Sequence, residues 1–323
     1  MRLALRRVRV FAFAALATAC SNGAPEPRAA PAAASAEAAP PDAPAARVFA
    51  QNVVSSGDAI APTFARDGRT MYFVKTGRQR KHTRLMVSRL AGGAWAPPEP
   101  APFGDVEATE LTPFVAADGA VYFASNRPRV AGDGRTDLDL WVARPTPDGF
   151  APPRRLGAPV ESPALEVGPS LTRDGTLYFT SSRTEPPGIY RAARLGEGYA
   201  EPERLPEPIN RPDGYTSTPF VAPDESFLLF YFQTVGPKGV GQSDLYVSLR
   251  RGGGWSDPRP LGPEVNTPEY GEFSPSLSPD GRYLFFARND VRSYEPNLDI
   301  AWENIFYVPV DRIEALRSPG RPG

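Results

Sequence analysis

The chain has 323 residues with 39 Pro, 29 Gly, one Cys, one His and a formal net charge of −1. That length suffices for one large core or two small ones. A single Cys and a single His exclude an internal disulfide and a Cys/His zinc site, and a near-neutral balance without a basic stripe argues against nucleic acid as a partner.

Residues 1–19 read as a leader. Arg2, Arg6, Arg7 and Arg9 form a basic start, and Val10 to Ala19 is an apolar stretch too short to span a bilayer. "LATAC", from Leu16 to Cys20, resembles a bacterial lipobox, with Ala17 where that pattern favours Leu or Val. The resemblance implies lipid attachment at Cys20, and Ser21 after it implies an outer-membrane anchor facing the periplasm. The plainer reading is ordinary signal cleavage, with Cys20 a spare thiol. Residues 20–45 then form a tether of Ala, Pro and Ser that offers no large apolar side chain and cannot bury a core.

From residue 46 to 323 the sequence repeats itself. "IAPTFARDGRTMYFVK", "LTPFVAADGAVYFAS", "VGPSLTRDGTLYFTSSR", "STPFVAPDESFLLFYF" and "FSPSLSPDGRYLFFAR" align on Pro62, Pro113, Pro169, Pro219 and Pro275. The spacing of about 50 residues matches a four-stranded propeller blade. In each echo an Asp-Gly turn joins an innermost strand to a second one. Asp bonds its own backbone and Gly tolerates positive φ; only the fourth unit departs, with Glu225 for Gly. A third strand follows ("RLMVS", "DLWVA", "IYRAA", "DLYVS", "IFYVP"), and in four units a Pro-rich edge segment completes the blade. The fifth unit lacks that edge. "ARVFAQNV", from Ala46 to Val53, lies unclaimed at the start and is assigned to it. The prediction is an all-β, five-bladed β-propeller of four-stranded blades, its ring closed by the N-terminal strand.

"SPDGRYLFF", "DLYVS" and the longer run "GGGWSDPRPLGPEVNTPEYGEFSPSLSPDG" resemble the TolB-type β-propeller family, a relative of the WD repeat. The resemblance covers everything after the tether. It implies the fold, and it implies an exported protein that binds other proteins. It names no activity, because the shared residues make turns and core.

Candidate functional residues fall in two groups. Three residues before each register proline stand Ala59, Glu110, Glu166, Thr216 and Glu272. Three carboxylates would ring one mouth of the channel, with Arg127 and Arg183 opening on the same face. Bidentate ion pairs between neighbouring blades are the structural reading. A ligand or cation site at the mouth is a second. A catalytic set is the third, since five-bladed propellers host glycoside hydrolases with channel acids. Shared repeat register counts against the third, because catalytic carboxylates need differently tuned environments. A Ser–His–Asp triad would need His82, which has no acid beside it in "RQRKHTR".

The second group lies in the variable loops after each second strand, where binding function concentrates. Arg78, Arg80, Lys81 and Arg84 form a basic cluster, and Tyr294 and Trp302 add aromatics to the longest loop. Asp133, Asp137 and Asp139 do not match an EF-hand loop; Asp139 aligns with Asp244 and reads as a cap on a strand turn. No cofactor or metal is called for. The leading expectation is a monomeric, lipid-anchored, non-catalytic envelope protein that presents its loop rim to a protein or glycan. The alternative is a glycoside hydrolase using the channel glutamates.

Overall fold

A computed structural model describes residues 46–77, 83–128, 137–236, 239–290 and 302–317. Cys20, the tether, Arg78, Arg80, Lys81, His82, Asp133 and Tyr294 lie outside the described residues.

Five four-stranded antiparallel sheets form a ring, a five-bladed β-propeller. The innermost strands are Ala59–Phe64, Glu110–Val115, Glu166–Leu171, Gly214–Val221 and Tyr270–Leu277. Each second strand is apolar along most of its length. Val121–Ser125 and Leu177–Ser181 are buried at every position, as strands covered on both faces must be. The outer strands have two residues each, and two of them, Glu99–Pro100 and Arg259–Pro260, place proline at the solvent edge.

The hairpin turn repeats atom for atom. The amides of Arg69, Ala120, Thr176, Ser226 and Arg282 donate to Oδ1 of Asp67, Asp118, Asp174, Asp224 and Asp280 at 2.8–3.1 Å. The residue after each Asp has positive φ, and in blade 4 that residue is Glu225, at φ 56°. A non-glycine residue there costs about 1–2 kcal/mol. Glu225 is held by its side chain instead, which accepts from the Tyr178 hydroxyl at 2.7 Å and from Arg191 Nε at 3.1 Å, both on blade 3.

The register proline marks a bulge. In every blade the ladder between first and second strands slips there, for example between Ile60 and Thr63. The preceding residue is left-handed: Ala61, Thr112, Gly168, Thr218 and Ser274 have φ of 45–64°. Proline removes a ladder donor and the left-handed residue turns the strand, so each innermost strand bends at the axis. Gly168 is the one glycine because the neighbouring blade is in contact: a Cβ there would meet Thr218 Cα at 2.9 Å.

The ring closes as the sequence predicts. Arg47 and Val48 pair with Tyr307 and Phe306 on the third strand of blade 5. Phe49 follows and wedges between blades 5 and 1, edge-on to Phe285 at 5.2 Å, Trp95 at 5.3 Å, Tyr307 at 6.0 Å and Phe64 at 6.3 Å. Two short 3-10 turns, Val310–Arg312 and Glu314–Leu316, end the described chain, and Arg259 Nη2 donates to the Ala315 carbonyl at 3.0 Å. The C-terminal segment is thereby strapped to the outer strand of blade 4.

Two substitutions test this architecture by chemical unfolding. Phe49→Ala should lower stability by about 3–5 kcal/mol, since it empties an aromatic cluster at the closure. Gly168→Ala should cost about 1–3 kcal/mol beyond Gly253→Ala, because both glycines are left-handed but only at Gly168 would the new Cβ push blades 3 and 4 apart.

Candidate functional site

The three glutamates do not open on a channel. Glu110, Glu166 and Glu272 are 1%, 0% and 0% exposed. Each is paired with an arginine of its own blade. Arg127 Nη2 donates to Glu110, Arg183 Nη2 to Glu166 at 3.3 Å, and Arg288 Nε to Glu272 at 2.9 Å. The expected pairing between neighbouring blades is therefore corrected: carboxylate and guanidinium face each other across the first and second strands. Nor are the pairs bidentate. In each case another part of the guanidinium's capacity goes to a backbone carbonyl in the linker from the preceding blade. Arg127 Nη2 reaches the Phe103 carbonyl at 3.2 Å, Arg183 Nη2 reaches Val160, and Arg288 Nη2 reaches Val265 at 2.7 Å. The tie between blades is thus arginine to linker.

Each guanidinium also lies against a ring from the second strand and one from the third, and Arg288 meets Tyr270 of the innermost strand as well, at 5.5 Å. Arg127 is 5.0 Å from Phe123 and 5.2 Å from Trp141. Arg183 is 5.6 Å from Phe179 and 5.1 Å from Tyr190, and Arg288 is 5.5 Å from Phe286 and 4.5 Å from Phe306. Cation–π contact of this kind adds to the hold on the charge. Hydroxyls complete the carboxylate shells: Ser162 Oγ (2.6 Å) and Ser181 Oγ (2.9 Å) donate to Glu166, and Thr267 Oγ1 (2.8 Å) to Glu272.

Burial pushes all three carboxyls above their ordinary range, and the arginines and hydroxyls pull them only part of the way back. Glu272 is pushed up to about 7, and burial also lowers Arg288. For each carboxylate the cost of leaving water outweighs what its arginine and hydroxyls return.

The remaining blades use substitutes. In blade 4 Thr216 replaces the glutamate and donates straight to the linker carbonyl of Ile209 at 2.9 Å. In blade 1 Ala59 holds the position, and the acid is Asp58, paired with Lys75 at 2.6 Å. Two linkers are pinned further by asparagines. The side-chain amide of Asn210 brackets the backbone of Ile189, and that of Asn266 brackets Leu245, each accepting and donating at 2.8–3.0 Å.

Arg288, the aromatic pairs, and both asparagines were not singled out from sequence. Arg127 and Arg183 sit two residues past the serine opposite their glutamate, whereas Arg288 stands directly opposite Glu272, so the repeat alignment hides it. "PIN" and "EVN" ahead of the innermost strands of blades 4 and 5 were the available signal for the asparagines.

The residues around Pro62, Pro113, Pro169, Pro219 and Pro275 line a half-open cavity of about 30 Å³, room for one or two waters. Of the rim candidates, Arg84 is exposed and lies opposite Lys75. Trp302 is half-buried and packs on Tyr270 at 5.7 Å and Phe306 at 6.1 Å, so it belongs to the wall of blade 5 and is no free rim aromatic. Among the described residues no cluster of three or more His, Cys, Asp or Glu side chains could hold a metal ion, and no helix is long and apolar enough to cross a membrane.

Arg288→Met should cost on the order of 3–5 kcal/mol at pH 8, where it strands a buried carboxylate. The loss should shrink at pH 5, where Glu272 takes a proton. In the wild type, the folded chain holds a proton on Glu272 that the unfolded chain releases above about 4.5. The stability this contributes is complete below about pH 4.5 and is lost as pH rises through about 7. Glu272→Gln should flatten that part of the stability–pH curve, measured by denaturant unfolding across the window.

No family model and no curated protein matches the chain in sequence. Solved structures do match in shape. An α-L-arabinofuranosidase from Lactobacillus brevis superposes with a TM-score of 0.53 at 14% identity, covering 81% of this chain and 94% of that one. A GH43 endo-arabinanase from Bacillus licheniformis gives 0.50 at 13%, covering 80% and 95%. A putative TolB from Agrobacterium tumefaciens gives 0.46 at 15%, covering 78% and 90%. At these identities the likeness is one of fold, and the fold is the five-bladed β-propeller.

Proposed function

We propose that this chain is a non-catalytic binding protein of the bacterial cell envelope, held by a lipid on Cys20 at the outer membrane and presenting its propeller loops to a protein or glycan. The observation that carries the reading is the state of the glutamates. A glycosidase needs two carboxyls flanking a pocket that admits the sugar and, in an inverting enzyme, a water. Here the three repeat glutamates are 0–1% exposed, are paired with arginine, and do not line the cavity among the register prolines. With these carboxyls committed to arginine, the loops that vary between blades are the surface best suited to recognition.

Solved structures that include arabinan-degrading enzymes keep the hydrolase reading in view at the level of fold. The deciding experiment runs the purified protein on arabinan and aryl glycosides, beside a pull-down from native envelope fractions. The expected outcome is no hydrolysis and specific retention of an envelope component. Turnover that Glu110→Gln, Glu166→Gln or Glu272→Gln abolishes, with the fold intact, would overturn the binding reading.

A further inference from the structure

Blade 4 departs from the clamp in a way that leaves one carboxylate over. Thr216 takes the place of the glutamate, and Phe232 stands opposite it, where blade 5 has Arg288. The flanking rings persist: Phe230 and Tyr246, stacked at 6.2 Å, occupy the positions of Phe286 and Phe306. The arginine between them does not. One strand further out, Asp244 lies opposite Phe232.

Asp244 is half-buried, and among the described residues it accepts no hydrogen bond and meets no cation. Burial pushes its carboxyl above the ordinary range. Asp139, at the same repeat position in blade 2, is 2% exposed and is engaged. The expected role of this position as a strand cap therefore does not extend to Asp244. The charges around it give no relief. Its field pushes Glu272 and the Tyr246 hydroxyl upward. Arg211, in the linker entering blade 4, is committed elsewhere: its Nε donates to Asp213 at 2.9 Å, and its guanidinium lies over Phe232 at 4.5 Å.

A half-buried carboxylate normally finds a partner. At three other stations of this ring the partner is a guanidinium set against aromatic rings. We propose that Asp244 anchors a site for a cationic side chain, a guanidinium or primary ammonium, carried by a protein partner and flanked by the ring of Tyr246. The site supplies from outside what blade 4 lacks within. A divalent metal is a poor fit, because it needs several oxygens and Asp244 brings one carboxylate. The proposal rests on the binding reading above and narrows its partner to a protein with an exposed lysine or arginine.

The test is calorimetric titration of the full chain with tetralysine and tetra-arginine amides at low ionic strength. The variants are Asp244→Asn and, as a charge-matched control, Asp148→Asn in an exposed hairpin of blade 2. Wild type and the control should bind alike. Asp244→Asn should bind about tenfold more weakly, the loss of one charge-assisted hydrogen bond. It should also melt at a higher temperature, since it removes an uncompensated charge. Equal binding by Asp244→Asn and wild type, no binding by wild type, or a lower melting temperature for Asp244→Asn would each overturn the proposal. The envelope pull-down tests the binding reading separately, so a partner retained there while these titrations fail removes Asp244 and leaves that reading in place.

Discussion

Five strands converge on one axis here only because each bends at the residue before its proline. A straight ladder would carry the innermost strands past one another. The left-handed residue and the missing proline amide break the ladder at one point, and the freed backbone is taken up by the neighbouring blade. The Val115 amide donates to Thr63 Oγ1 at 3.2 Å, Gly168 to Thr112 Oγ1 at 2.9 Å, Val221 to Ser170 Oγ at 2.9 Å and Ser274 to Thr218 Oγ1 at 3.2 Å. Four successive junctions, from blade 1 through blade 5, are each made by a hydroxyl on one side or the other of the proline. Left-handed backbone is unfavourable for Ala, Thr and Ser, and it persists because its surroundings over-determine it.

The seam between blades 5 and 1 is built differently. Ser276 is in the position of Thr63 and Ser170, yet its buried hydroxyl has no hydrogen-bond partner among the described residues. What joins the last blade to the first is instead the pairing of Arg47–Val48 and the Phe49 cluster. Proline-flanking hydroxyls thus tie the ring where the chain runs on from blade to blade, whereas the seam where its ends meet combines the Phe49 cluster with backbone pairing and the Gly57 amide's bond to Asn304 Oδ1 at 2.9 Å. The clamps follow the same division. Arginine ties each linker to the blade that follows it in blades 2, 3 and 5, whereas blade 1 opens with Asp58 and Lys75, half-exposed and on the surface of the seam.

Much of this was legible in the sequence because turns and strand periods are local. The Asp of each hairpin, the register prolines and the orphan edge "ARVFAQNV" each announce a backbone event within a few residues. The chemistry around the glutamates was less legible, because it depends on what a strand faces. Shared register marked Glu110, Glu166 and Glu272 as structural, but gave no sign that their arginines turn to the linker carbonyls. A two-residue offset concealed Arg288. Trp302 reads as a loop aromatic by position and packs half-buried against the core through Tyr270 and Phe306. Asp244 is the reverse case: alignment with Asp139 implies a common role, and only the substitution of Phe232 for the serine opposite changes what surrounds it.

The closing strand has a mechanical consequence. The N-terminal segment enters the propeller through two paired residues on the outer edge of blade 5, with Phe49 seated just behind them. Tension applied from that end acts first on the ring's own seam and not on any single blade. Phe49 is the bolt under that load. Its release would part blades 5 and 1 while the arginine ties of blades 2, 3 and 5 stayed whole, so the propeller would yield to force as an opening ring before any blade lost its strands.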